Sequence, residues 1–164
     1  MTTKFPDAQI QAANTNLLTY EAVKDFDAVV ADFEKQLGYL DQAKALSDPN
    51  NIAEATRLME GSAGLMIISV LEMDRILPDL SKTKIKSRQY LVGNPNIADS
   101  MAKYDILTTL MVPPRVLIYT DAGKTKIAYE QPSTTLGRLS ESEIDKTARA
   151  LDEKFERLAK NALS

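Results

Sequence analysis

The 164-residue chain contains no cysteine and no histidine. Without cysteine there is no disulfide framework and no thiol nucleophile, which is compatible with a cytoplasmic protein. The lack of histidine excludes more. It removes the base of a histidine-assisted serine nucleophile, the usual nitrogen ligand of zinc and haem, and the side chain best suited to carry protons near neutral pH. Positive charge is also short. Lysine and arginine number 20 against 23 acidic residues, a net charge of -3, whereas a nucleic-acid partner calls for a clearly basic face. Long apolar runs are missing: the longest, LMIISVL from Leu65 to Leu71, falls far short of the ~20 residues that span a bilayer. The opening MTTKFPDAQIQAANTN lacks the apolar segment of a secretory signal. Glycine-rich phosphate loops are absent too, since Gly61 to Gly64 reads only GSAG and matches neither the Walker nor the dinucleotide spacing. The expectation is a soluble cytoplasmic protein with no cofactor, no metal, no nucleic acid and no membrane as partner.

Hydrophobic residues make up 44% and charged residues 26% of the chain, an ordinary globular composition. Folding at this length buries roughly 70% of the surface of the unfolded chain, enough for a core without staples. Residues 1–16 are rich in Thr, Asn, Gln and Ala without periodicity. They are expected to form a flexible N-terminal arm ahead of a single domain over 17–164.

Leu18, Tyr20 and Ala22 alternate with Thr19 and Glu21, which predicts a strand over Leu17 to Val23. Phe26, Val29, Val30, Phe33 and Leu37 recur at helical spacing behind Asp25, a suitable N-cap. A second helix is expected over SDPNNIAEATRLMEG, with Asp48 as cap, Pro49 at the first helical position and Gly61 as its left-handed stop. Leu65 to Leu71 reads as a buried strand, and Ile85 to Val92 as a half-polar one ending at Gly93-Asn94-Pro95. Two β-rich runs flank Asp121-Ala122-Gly123 and predict a hairpin. Ser140 and Glu143 stand three apart, as in a capping box, ahead of the apolar stripe Ile144, Ala148, Leu151, Phe155 and Leu158. Strands grouped apart from helices indicate an α+β fold. The simplest packing is one antiparallel curved sheet covered on one face by the N-terminal helix and the long C-terminal helix.

The ordered set VGNPNIADSMAKYDI followed by VPPRVLIYTDAGKTKIAYEQPS resembles the domain-of-unknown-function family 302. The likeness lies in Gly93-Asn94-Pro95, a short helix at Met101 to Leu107, a Pro-preceded strand from Pro114 to Tyr119, and Tyr129 to Pro132. It covers roughly Leu17 to the C-terminus, with Gln42 to Gly61 as an elaboration. The resemblance implies a TATA-binding-protein-like arrangement of strand, helix, four strands and helix, with a cavity between sheet and helix. It implies no DNA binding, because fold does not fix function. Relatives carry His where this chain has Met73 and Tyr104, so any role of those histidines is not shared here.

Tyr104 and Asp105 could pair a phenol with a carboxylate beside a pocket, or be an interfacial Tyr and a local turn. Glu72 and Asp74, two apart on a strand, would share a face and could raise one another's pKa. With Arg75 or Arg115 nearby they would instead form an ion-pair network. Asn94 suits a turn. Lys82 to Arg88 is basic, but a solvated alternating strand explains it. Met59, Met66, Met73, Met101 and Met111 could form a soft copper site, though flexible filling around a cavity accounts for them.

The functional expectation is a small apolar or aromatic ligand bound between sheet and helices by Asn94, Met101, Tyr104, Arg115 and Met73. The alternative is a cofactor-free isomerase, cyclase or lyase using Tyr104, Asp105, Arg115 and Glu72 or Asp74. A third reading is a homodimer. Val116 and Ile118 fall in one alternation set of the hairpin Arg115–Glu130 and Leu117 and Tyr119 in the other, so both faces are apolar. The hairpin then supplies a candidate edge, unless Phe5, Ile10 and Ala12 of the arm cover the outer face.

Overall fold

The computed structural model of the chain describes residues 8–164; Phe5 and the first part of the expected arm lie outside the described residues. Residues 8–16 carry no helix or strand. At their end the Asn16 carbonyl accepts from the Gln131 amide at 2.8 Å, and the Asn16 amide donates to Thr134 Oγ1 at 3.0 Å.

The elements follow in the order β1 (Leu17–Ala22), α1 (Phe26–Glu34), β2 (Gly38–Tyr39), α2 (Gln42–Ala45), α3 (Ile52–Arg57), β3 (Met66–Glu72) and α4 (Met73–Ile76). Then come β4 (Ser87–Gly93), α5 (Pro95–Ala102), α6 (Thr108–Met111), β5 (Arg115–Asp121), β6 (Lys124–Glu130), α7 (Pro132–Leu136) and α8 (Ser142–Leu163). One six-stranded sheet runs β1-β6-β5-β4-β3-β2. It is mixed rather than purely antiparallel, because β2 lies parallel to β3. The hairpin is not an edge as the sequence suggested: β5 and β6 are interior strands, flanked by β4 and β1.

Side chains alternate across the sheet. Tyr90, Val92, Val116, Ile118, Ile127 and Tyr129 point to one face and are buried there. Phe33 of α1 meets Tyr90 with ring centroids 5.1 Å apart, and Phe155 of α8 meets Tyr129 at 5.5 Å. Both long helices therefore cover the same face, as expected. Their apolar stripes match the residues read from helical spacing: Phe26, Val29, Val30 and Phe33 in α1, and Ile144, Ala148, Leu151, Phe155 and Leu158 in α8.

Local details differ where short-range signals competed. Asp25 caps α1, accepting from the Asp27 and Ala28 amides. Asp48 instead holds a turn by accepting from the Asn50 amide, so α3 begins only at Ile52 and Pro49 stays outside it. Gly61 is no left-handed stop. A Cβ there would lie 2.3 Å from the Leu37 carbonyl carbon, and one on Gly38 would lie 1.7 Å from Met59 O. The two glycines let chain segments cross at backbone contact. Ser140 takes the left-handed conformation, φ 53°, and the α8 cap passes to Glu141, which accepts from the Glu143 amide. The strand read as buried, β3, is buried only at Met66 and Ile67, and Val70 and Leu71 reach solvent.

The α1 and α8 layer is tied at its open corner by Lys24. Its Nζ donates to Asp32 Oδ2 at 2.6 Å and to the carbonyls of Ala162 and Ser164 at 3.0 and 2.7 Å. Hydrogen bonds from Lys24 and then Lys35 hold the Asp32 carboxyl down at about 2, below its ordinary 3.8. A depressed carboxylate contributes stability that is complete above its unfolded pKa and disappears as pH falls through the folded one. Asp32→Asn should therefore lower the urea midpoint at neutral pH. The gap from wild type should close between about pH 4 and about pH 2; a gap that stays constant through that window would contradict the ion-pair origin.

Candidate functional site

The sheet face turned away from α1 and α8 carries the alternate residues of each strand. Register places Leu17 beside Glu130 and Thr19 beside Ala128, Ala128 beside Leu117 and Lys126 beside Tyr119, and Leu117 beside Gln89. This face mixes apolar and polar groups, the pattern of a sheet covered on one side only.

A concavity of about 590 Å³ opens on it. Its floor is Leu17, Thr19, Leu117, Tyr119 and Ala128, and the segment Leu110–Pro114 forms one wall. Arg115 and Arg138 reach it from opposite supports, one at the start of β5 and the other just beyond α7. The Arg138 Nε donates to the Thr135 carbonyl at 2.8 Å, and the Arg138 carbonyl accepts from Gln11 Nε2 at 2.8 Å. Among the described residues no carboxylate lies within ion-pair distance of either guanidinium. Glu130 is the acidic residue of the lining, so two cations face one carboxylate and the concavity is positive by one charge. Guanidinium groups present a planar fork of donors suited to a carboxylate or another oxyanion.

A second cavity, about 180 Å³, lies between the sheet end and the helices, lined by Asn94, Ile97, Met101, Val112, Pro113 and Leu151 among others. It is almost wholly apolar. Asn94 is spoken for: its Nδ2 donates to Glu60 Oε1 at 2.7 Å and to the Gly64 carbonyl at 3.1 Å, and its Oδ1 accepts from the Asn96 amide at 2.9 Å to cap α5.

Polar groups also cluster under the far end of β4. Tyr90 Oη donates to Glu34 Oε1 at 2.7 Å. Arg88 reaches Glu34 at 3.3 Å and Glu72 at 3.0 Å, and Arg75 reaches Glu72 at 2.7 Å. Burial first, then the Glu34 hydrogen bond, pushes the Tyr90 phenol well above its usual range. Every charge in this cluster has a partner, so it reads as a brace between α1, β3 and β4 rather than a reactive centre.

The structure brings two of the residues singled out from sequence into one cavity, Asn94 and Met101. It does not bring the others together. Tyr104 is 48% exposed, past the end of α5, with Lys103 Nζ 5.1 Å from its ring centroid. Asp105 Oδ1 accepts from the Leu107 amide at 2.8 Å, a local turn. Glu72 ends β3 while Asp74 and Met73 lie in α4, so the two carboxylates do not share a strand face. Glu72 pairs with Arg75 and Arg88, not Arg115. Arg115 stands by itself on the uncovered face. Sequence reasoning missed Arg138, which no periodic pattern marks, and the Glu34–Arg88–Tyr90 cluster, whose members are 54 and 56 residues from Glu34.

The family model of "Domain of unknown function DUF302" matches residues 42–162. Among solved structures, the chain is similar to the crystal structure of the uncharacterized conserved protein DUF302 from Bacillus stearothermophilus. The TM-score is 0.66 at 13% identity, covering 89% of this chain and 97% of that one; at that identity the likeness concerns the fold. No curated protein matches the chain.

The brace makes its own prediction. Tyr90→Phe removes the donor to Glu34 and should cost about 1–2 kcal/mol of stability by urea unfolding. No loss would show that water or Arg88 alone satisfies the Glu34 carboxylate.

Proposed function

The chain belongs to the DUF302 family, and from that premise we propose that it is a small-molecule-binding protein whose ligand is an organic anion with an apolar or aromatic body, held on the uncovered sheet face. The observation that carries this reading is the pair of guanidiniums, Arg115 and Arg138, without carboxylate partners among the described residues, at a concavity of about 590 Å³ whose floor includes Leu17, Leu117 and Tyr119. Ligand sites commonly measure roughly 300–1,000 Å³ and combine apolar lining with a few polar groups. The cavity between sheet and helices, about 180 Å³, is close to the roughly 150 Å³ that accommodates benzene, and it offers no free charge. The larger concavity therefore suits a carboxylate with a ring or chain, with Leu17, Leu117 and Tyr119 against the body and Arg115 and Arg138 on the head.

The cofactor-free enzyme reading has less support. Its residues Tyr104, Asp105, Glu72, Asp74 and Arg115 are distributed over separate loops, faces and ends of the sheet, and proton transfer needs donor and acceptor within hydrogen-bond reach of one substrate.

Thermal unfolding in the presence of 2-naphthoate and decanoate, with their uncharged methyl esters as controls, tests the proposal. A ligand at ~100 times its dissociation constant adds about 2.7 kcal/mol, which raises the melting temperature of a chain this size by roughly 5–10 °C. The acids should shift the protein and the esters should not. Arg115→Ala should weaken binding about tenfold to a hundredfold, the effect of losing a charge-assisted hydrogen bond. Equal shifts from acid and ester, or an unaltered Arg115→Ala variant, would sink the proposal.

A further inference from the structure

The two edges of the sheet are built differently. β2 is two residues long and leads directly into α2, so it offers almost no free backbone. β1 is six residues long, LLTYEA, and pairs with β6 in one unbroken register from Leu17–Glu130 to Ala22–Thr125. Edge strands are normally blunted by brevity, charged side chains (lysine above all), proline, a bulge or a covering element. β1 contains no lysine, no proline and no bulge, and its one charge, Glu21, is held by Lys124 and Lys126 of its own subunit. The described part of the arm does not cover it either, since Gln11 and Asn16 reach toward Arg138 and Thr134 beyond β6.

Which backbone groups are free follows from one hydrogen bond. The Gln131 amide donates to the Asn16 carbonyl at 2.8 Å, so Asn16 turns its backbone toward β6. Hydrogen-bonded and outward positions alternate along an antiparallel strand. Leu18, Tyr20 and Ala22 therefore bond to β6, while Leu17, Thr19 and Glu21 present N–H and C=O to the open edge. No described residue bonds to them there.

We propose that this edge is closed by a second copy of the chain, β1 against β1 antiparallel, about a two-fold axis at Thr19. The strand is self-complementary in that register. Outward-bonding positions meet outward-bonding positions: Leu17 faces the partner's Glu21, and Thr19 faces the partner's Thr19. On the helix-covered face Leu18 meets the partner's Tyr20; both are half-buried apolar residues already packed on the core, and pairing completes their burial. Charge does not oppose the contact, because Glu21 is ion-paired within its own subunit to Lys124 and, at 3.4 Å, to Lys126. A two-fold axis perpendicular to the sheet joins both uncovered faces side by side and sets the partner's Glu21 next to Leu17, which lines the 590 Å³ concavity. The homodimer suggested by the sequence thus acquires a specific surface, and it stands on β1 alone, independently of what the concavity binds.

The absence of cysteine makes the register directly testable. Facing residues of a hydrogen-bonded antiparallel pair have Cα atoms about 5.5 Å apart, inside the range a disulfide bridges. Under oxidation the full chain carrying Thr19→Cys should form a covalent dimer. Glu21→Cys should not, since the two cysteines would be roughly 13 Å apart. Unmodified protein should sediment at twice 18.1 kDa at micromolar concentration, and Thr19→Lys, which sets two lysines face to face, should weaken the dimer at least tenfold. Three outcomes would overturn the proposal. They are a mass of 18.1 kDa throughout the micromolar range, which leaves the edge to a strand from another protein; a dimer untouched by Thr19→Lys; or Glu21→Cys cross-linking as readily as Thr19→Cys.

Discussion

Each strand of a sheet sends half of its side chains to each face, and in this protein a helix layer covers one face only. Phe33 against Tyr90 and Phe155 against Tyr129 fix α1 and α8 over the same side. Burial of this kind stabilises by roughly 25 cal/mol per Å² of apolar surface removed from water, which commits both helices to this face. With the helices committed, the remaining polar devices act at the margins of the layer. Lys24 ties α1 to the end of α8, and Glu34, Arg88 and Tyr90 tie α1 to β4.

The opposite face is left without a helix layer. Its concavity is not a gap in the core but a product of the connections that leave the sheet. The chain between α6 and β5 turns across the face through Pro113 and Pro114, and the turn after α7 brings Arg138 in from the other side. Gly93 permits the first of these, since a Cβ there would lie 2.9 Å from Pro113 Cβ. The same one-sided architecture explains the exposed edge. β1 follows the arm and completes the sheet beside β6, and among the described residues no element comes after it on that side.

Patterns that depend on one periodicity were legible in the sequence. The alternation of Leu18, Tyr20 and Ala22, the stripes of α1 and α8, and the Ala122-Gly123 hairpin turn, with positive φ at both residues, each needed only local spacing. The features that escaped depend on tertiary contacts. Asp48 and Pro49 imitate a helix start but serve a turn. Gly61 imitates a helix stop, yet its lack of a side chain serves a chain crossing at Leu37 and Gly38. At the site, Arg115 could be named from sequence, whereas Arg138 could not, because it reaches the concavity only through the turn beyond α7. The brace of Glu34 with Arg88 and Tyr90 joins residues more than 50 apart, which no motif spacing encodes. Glu72 and Tyr104 drew attention by their neighbours in the chain, and their neighbours in space are different.

On the proposed reading the uncovered face, not the small cavity beside α5, receives the ligand. Amide chemical-shift mapping during titration with 2-naphthoate tests it residue by residue. Shifts are expected to concentrate at Thr19, Leu117, Tyr119 and Ala128 on the uncovered face and at Arg115 and Arg138. Shifts confined to Ile97, Met101 and Leu151 would contradict it, placing the ligand between the sheet and the helices instead.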